Sequence, residues 1–351
     1  MDMQPLVRRL LPVLAVYFGA PAAAEYPQAY LTTTGDVVVQ LQALLILGPL
    51  YGGAALLIRE VAVRARMGWT GVLLLAGSFG LAMTGLIDLS MFTAEYPEVE
   101  YWAELREPTL IGALGISAYT TIAWVTGHVA VSVGVPLALL HSLAPEHRGR
   151  PLLGKVGIPV VAVLGVGVAL LIRGDSAGTP SAVQTWWVAV VCAVVAGVAF
   201  TRVGRAVAVV EPGVGVEPVA GAEPGVGAGV GVGVRTLPAW KIVVVVVVTK
   251  LAFDLMLPDW VFTTISAVIV VGAVVALRRL ARRGLVGARE IGLIGGAVLV
   301  AGTLLGFVTP LPPGVEMAAK IGQSAVLLSV AVAITVWVAV EHRRQRRVLV
   351  G

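Results

Sequence analysis

From Pro108 to Pro145 the chain runs for 38 residues without an Asp, Glu, Lys or Arg. That run is the longest of several. Spread evenly, the 45 charged residues of this 351-residue chain would leave no uncharged stretch of 20. They are instead bunched between long apolar segments. Charged residues make up 13 % of the chain and hydrophobic ones 58 %, whereas a water-soluble domain carries about 25 % charge. A helix needs about 20 apolar residues to cross roughly 30 Å of hydrocarbon. The pattern therefore excludes soluble, disordered, collagenous and disulfide-scaffold classes. It predicts an all-α fold, a polytopic bundle of transmembrane helices.

Ten charge-poor runs are candidate spans: Leu10–Ala24, Val37–Ile58, Met67–Ile87, Tyr119–Leu143, Val156–Ile172, Ala182–Thr201, Ile242–Leu257, Trp260–Leu277, Ile291–Val308 and Ile321–Val340. Ten crossings with both termini cytoplasmic place 21 of the 25 cations in cytoplasmic segments, as the positive-inside rule requires. Arg106 and Arg173 fall in outer loops, and Lys250 and Lys320 fall within or at the edge of helices. The longest outer loop is acidic, with Glu95, Glu98, Glu100, Glu104 and Glu107. Trp69 and Trp240 at inner ends, with Trp186, Trp187 and Trp260 at outer ends, fit interfacial anchors. The net charge of +5 sits at the ends of apolar runs instead of along a groove. The expected partner is thus the lipid bilayer and no nucleic acid. Only four of the 25 cations are lysine, and Ala, Val and Gly abound. That composition suggests a GC-rich bacterial genome and a multi-pass protein of the bacterial plasma (inner) membrane.

Three stretches depart from a plain succession of spans. As one helix, Pro108–Pro145 would be about 57 Å long, so we expect a single crossing preceded by an outer interfacial or re-entrant stretch around Thr109–Ala118. The first run follows Arg8-Arg9 and ends in Ala22-Ala23-Ala24. It reads either as a retained signal-anchor helix or as a cleaved signal peptide, and both leave the later topology unchanged. Glu211–Val234 alternates Gly, Val and Pro with no face to bury. It reads as a disordered cytoplasmic linker. The expected organisation is a six-span part (1–204), the linker (205–238), and a four-span part with a basic tail (239–351).

Polar groups inside apolar runs carry the functional signal, because each charge costs about 2.5–3.5 kcal/mol at a helix centre. Asp88 lies near the outer end of the third run and His128 in the outer half of the fourth. Lys250 and Asp254 share a face of the seventh at i,i+4 spacing, and Lys320 and Gln323 begin the tenth. All lie toward the outer leaflet. They either form a shared outer-facing cavity, or each snorkels or pairs locally. His128 and His141, 13 residues apart, are about 220° apart around a helix and form no two-His face. No H-E-x-x-H, G-x-S-x-G or Walker A sequence occurs. No metal site, cofactor or catalytic residue is expected. The single cysteine, Cys192, reads as a small lipid- or helix-facing residue. The glycine-rich Leu293–Ala297 reads as a helix-packing surface.

One stretch carries a family likeness. Leu47-Gly48-Pro49-Leu50-Tyr51-Gly52 leads to Leu57-Ile58-Arg59-Glu60, Gly68-Trp69, Phe79-Gly80 and Gly85-Leu86-Ile87-Asp88. Gly127-His128-Val129, Ser132, Val135-Pro136 and Arg150-Pro151-Leu152-Leu153-Gly154 follow. Over roughly residues 45–155 this order resembles bacterial polytopic membrane proteins with a Tyr/Phe-Gly-x-x-Glu-Glu-Gly-Leu segment and a later intramembrane His. Those are in turn distantly similar to the CPBP-type (Abi) glutamic intramembrane proteases, whose Glu and His residues activate water. Here Met83-Thr84 stands where that group has its acidic pair, and neither residue can serve as a general base. The resemblance therefore implies a relative without the catalytic acids. The function expected from the sequence is a non-catalytic integral membrane protein. The alternatives are a small-molecule or ion transporter and a degenerate CPBP-like protease relative.

Overall fold

The computed structural model describes residues 4–96, 99–205 and 237–350, so the Gly/Val linker lies outside the described residues. Among these, eight helices are long and apolar enough to cross a membrane. They are α2 (Val37–Arg64), α3 (Trp69–Ile87), α4 (Ala118–Leu143), α5 (Gly157–Asp175), α6 (Ala182–Ala199), α8 (Trp260–Arg282), α9 (Ala288–Leu305) and α10, whose apolar part is Met317–Glu341. Two further helices occupy the remaining apolar runs. These are α1 (Gln4–Glu25), with apolar portion Leu10–Glu25, and α7 (Ala239–Asp254), 16 residues long. Pro238 and Pro258 bracket α7, and 16 residues rise only about 24 Å, which explains its shortness.

Loops gather alternately at two ends of the bundle, as successive antiparallel helices require. At one end, which carries Glu95, Glu100, Glu104 and Glu107, the Gln184 side chain donates to the Leu114 carbonyl at 2.9 Å and the Tyr119 hydroxyl to the Met256 carbonyl at 3.0 Å. The Thr309 hydroxyl donates there to the Gln28 carbonyl at 2.7 Å. At the opposite end Arg59 donates to the carbonyls of His147 (2.6 Å) and Arg150 (3.0 Å), and Arg289 to that of Leu237 (3.1 Å). We call these the acidic and basic ends. At the basic end the buried Glu60 carboxylate accepts from the backbone N–H groups of Leu152 (2.6 Å) and Leu153 (3.1 Å) and pairs with Arg64. It thus fastens the α4–α5 loop to α2.

The long uncharged stretch resolves into a two-strand hairpin and one helix. β1 (Leu110–Ile111) pairs antiparallel with β2 (Ile116–Ser117). The turn between them passes through Gly115 at φ +71°, a conformation natural to glycine. The Thr109 and Ser117 hydroxyls meet at 2.9 Å, and Ser117 caps the first turn of α4. Boundaries elsewhere shift by a few residues. The ninth helix begins at Ala288, not Ile291, because Glu290 reaches back to the Gly287 N–H at 3.0 Å and pairs with Arg289. Hydropathy marks apolar residues, whereas caps set where a helix starts.

Close packing is built on small residues. α9 is wedged between α4, α7 and α10. A Cβ on Gly292 would lie 2.3 Å from the Ser142 hydroxyl oxygen, and one on Gly296 would lie 2.5 Å from that of Thr335. The glycine pair four residues apart lets both neighbouring backbones approach. This joins the described residues before position 206 to those after position 236. On the other side, Val16 and Ala20 of α1 are buried against the Gly48–Gly52 segment of α2. α8 stands apart, touching α4 near the acidic end and α7 lightly, with Val261, Val268 and Val271 exposed.

Candidate intramembrane site

Three of the helices contain a wide π turn: Gly48–Gly52 in α2, Met83–Ile87 in α3 and His128–Gly134 in α4. Each has a local cause or support. Pro49 lies inside the first and Pro136 just after the third, and a proline lacks the N–H that a regular helix would use. In the second, the Thr84 hydroxyl donates to the Gly80 carbonyl at 3.0 Å, and Arg173 of α5 donates to the Leu86 carbonyl. Such turns re-aim side chains and recur at functional sites.

The three turns converge. The Tyr51 ring stacks on His128 with centroids 5.7 Å apart, and Phe79 sets its ring edgewise against both. His128 Nδ1 lies 3.1 Å from the Ser132 hydroxyl, so its hydrogen bond stays within its own helix. Glu25 accepts from the Tyr30 hydroxyl at 2.8 Å.

Glu25, Tyr30, Tyr51 and His128 line a cleft of about 1930 Å³ between α7 and α8 on one side and α3, α4 and α9 on the other. Its lining reaches from Tyr30 and Glu95 at the acidic end to Arg278 and Glu290 at the basic end. Four of the five charged or titratable residues singled out from the sequence line it: Asp88, His128, Lys250 and Asp254. Asp88 accepts from the Ser90 N–H at 2.8 Å, and its carbonyl receives the Ser176 hydroxyl. Lys250 and Asp254 form an ion pair along α7. Tyr101, in the loop at the acidic end, also lines the cleft, and burial raises its phenol above the usual range.

Lys320 is elsewhere. It is 3 % exposed and donates to the carbonyls of Gly306 (2.6 Å) and Thr309 (2.8 Å). Its charge therefore caps the C-terminal end of α9, where the helix dipole favours a cation. Gln323, one turn on, accepts from the Gly35 N–H (2.7 Å) and the Gln40 amide (2.8 Å) and donates to the Tyr26 carbonyl (3.1 Å). His141 packs edgewise on Trp69, away from His128. Among the described residues no three His, Cys, Asp or Glu side chains gather to hold a metal. Met83, where the resembled group has an acid, lines the cleft, and Thr84 is buried beside it.

Sequence reasoning passed over Glu25, Tyr51, Thr263 and Ser266. Glu25 marked the end of a possible signal peptide, and Tyr51 entered only through the family likeness. The α8 hydroxyls carried no signal at all. They are 4 % and 3 % exposed, line the cleft, and neither hydroxyl has a hydrogen-bond partner among the described residues. No family model, curated protein or solved structure matches the chain.

Proposed function

We propose that the protein is a non-catalytic carrier of a small molecule, spanning the bacterial plasma membrane ten times with the basic end and both termini in the cytoplasm. The carrying observation is the cleft. It extends between the two ends of the bundle, is walled mainly by apolar side chains, and holds Asp88, His128 and the Lys250–Asp254 pair. Intramembrane ionisable residues around a cavity are characteristic of substrate and ion routes. Eight long apolar helices, with the shorter α1 and α7 beside them, support the ten-span reading, and the positive-inside rule supports the orientation. The likeness to CPBP-type proteases supports no reaction here, because Met83-Thr84 offers no general base.

Cysteine accessibility in a Cys192→Ser background tests this reading. Cysteines at Ala177 and Pro313 should react with an impermeant thiol reagent in intact cells, and those at Gly149 and Gly284 only after permeabilisation. Cysteines at Val270 and Ser132, which line the cleft, should also react with that reagent from at least one side. Failure of both from both sides would mean that no aqueous route exists.

A further inference from the structure

We propose that the cleft takes up an anionic membrane lipid, with its phosphate head at Lys241 and Arg278 at the basic end and its acyl chains along the apolar wall. The inference rests on the carrier reading for what becomes of this ligand, and adds its chemical class.

The first observation is charge. Lys241, Lys250 and Arg278 line the cleft. Lys250 is held by Asp254, whereas neither Lys241 nor Arg278 has an ion pair among the described residues. Lys241 lies over the Trp240 ring, 5.5 Å from its centroid, and keeps its charge unopposed. Glu290, the carboxylate that lines this end, is taken up by Arg289 and the Gly287 N–H. The two cations come from different helices, α7 and α8, so one anionic head can meet both. Lysine and arginine together suit a phosphate, and basic pockets between transmembrane helices are sites for anionic lipid heads.

The second observation is the arrangement of α7 and α8. Residues 255–259 connect them at the acidic end. Beyond that short connection α7 packs closely on α9, whereas α8 touches α7 only lightly and meets α4 at Ala118–Gly127. The two helices thus part toward the basic end, where Lys241 and Arg278 stand. A ligand that already lies in the leaflet can enter there sideways, head and tail together. The third observation is size. The cleft volume of about 1930 Å³ is roughly twice the upper end for drug-sized ligands, about 1,000 Å³. From Ile269 to Arg278 α8 rises about 14 Å, close to the half-thickness of bilayer hydrocarbon, about 15 Å. Along that length the wall is apolar, with Val245 and Val246 of α7 and Ile269, Val270 and Val274 of α8. A free phosphate would leave this wall unfilled, and a lipid without net negative charge would leave the two cations unmatched.

The test is photolabelling of the full-length protein in phosphatidylcholine nanodiscs. The probes are a phosphatidylglycerol whose acyl chain carries a diazirine and a phosphatidylcholine with the same chain. Phosphatidylglycerol should label peptides containing Val245, Ile269 and Val270 about tenfold more strongly than phosphatidylcholine does. The variant Lys241→Gln/Arg278→Gln should lose that preference. Arg282→Gln/Arg283→Gln, which removes two exposed cations at the same end of α8, should keep it. Excess inorganic phosphate should not compete, because it has no chain to fill the wall. Should Lys241→Gln/Arg278→Gln fail to fold, the two lipids on the unaltered protein and the Arg282→Gln/Arg283→Gln variant decide. The proposal is overturned by equal labelling from both lipids, or by a preference that survives Lys241→Gln/Arg278→Gln. Loss of the preference in Arg282→Gln/Arg283→Gln, or competition by inorganic phosphate, overturns it as well. A cleft open to the thiol reagent but without lipid preference ends the lipid assignment and leaves the carrier reading standing. Selective labelling of a cleft closed to the reagent from both sides keeps the lipid site and ends the carrier reading.

Discussion

Two consecutive helices, α8 and α9, meet their surroundings in opposite ways. α8 is largely Val, Ala and Ile, yet only 11 % of its apolar window is buried in the protein. α9 begins with Arg289 and Glu290 and carries four glycines, and 67 % of its window is buried. In water the more apolar helix would be the inner one. In lipid, hydrocarbon outside is as welcoming as hydrocarbon inside, so burial follows close backbone approach instead of hydrophobicity. α9 is the inner post because its glycines admit Ser142 and Thr335. α8 is left to divide the cleft from the lipid, and its buried polar residues, Thr263 and Ser266, are among those that line the cleft.

Glycine replacement tests this contrast most severely. A leucine at Gly292 or Gly296 must displace atoms already 2.3 to 2.5 Å from an added Cβ. The cost should be about 3 kcal/mol, read as a collapse in the yield of monodisperse protein or a large fall in detergent Tm. Gly272, near the middle of α8, has nothing within 4 Å of an added Cβ. Gly272→Leu should change stability by less than about 1 kcal/mol. Equal damage at the two helices would mean that α8 is held as tightly as α9, and the comparison would fail.

The helix ends give a second, smaller test. Lys320→Met would leave the Gly306 and Thr309 carbonyls at the end of α9 without their donor. A loss of about 2 kcal/mol is expected, seen as a lower Tm. An unchanged Tm would show that this cap contributes nothing to the end of α9.

How much of this was legible in the sequence follows from the kind of interaction. The apolar runs located the helices, the Leu293–Ala297 glycines marked a packing face, and i,i+4 spacing brought Lys250 to Asp254. All are local patterns. The π turns were not legible, since a π turn differs from an α turn by one residue in the hydrogen-bond register and leaves hydropathy unchanged. Nor was the destination of Lys320, which depends on how the Gly306–Glu316 loop folds back over α9. Glu25 could not be placed with Tyr51 on one cleft from sequence, because the two come from different helices, α1 and α2, brought together by the close approach of Tyr17 and Gly52. Pairing within a helix is readable, and pairing between helices is not.

Lys250 and Asp254 lie on the cleft side, where the packing is looser, so breaking their pair should cost less than removing Lys320. Their side chains are 14 % and 10 % exposed. Lys250→Met strands a largely buried carboxylate and should lower stability by about 1–2 kcal/mol. Lys250→Met/Asp254→Leu removes both charges and should recover most of that loss. Additive losses in the double variant would show that the two charges do not interact.

The smallest expected effect lies at the acidic end of the α9 side, where Tyr26 follows α1. Its hydroxyl donates to the Gln40 carbonyl, and its own carbonyl accepts from Gln323 of α10. Burial, and secondly the charge of Glu25, push its phenol up to about 12, against about 10 in an unfolded chain. The folded state therefore holds this proton more tightly than the unfolded state does. Its contribution is complete below pH 10, declines as pH rises toward 12, and is gone beyond. Tm in detergent should fall across that window in the unaltered protein and fall less steeply in Tyr26→Phe. Tyr101, beside the cleft, is also raised by burial, so Tyr101→Phe should flatten the same limb. The effect of Tyr26 should be the larger, because its phenolate would form against a carbonyl at a junction of α1, α2 and α10. Identical alkaline slopes in the unaltered protein and Tyr26→Phe would show that this junction adds nothing to the firmness of the α9 side, which would then rest on its glycines alone.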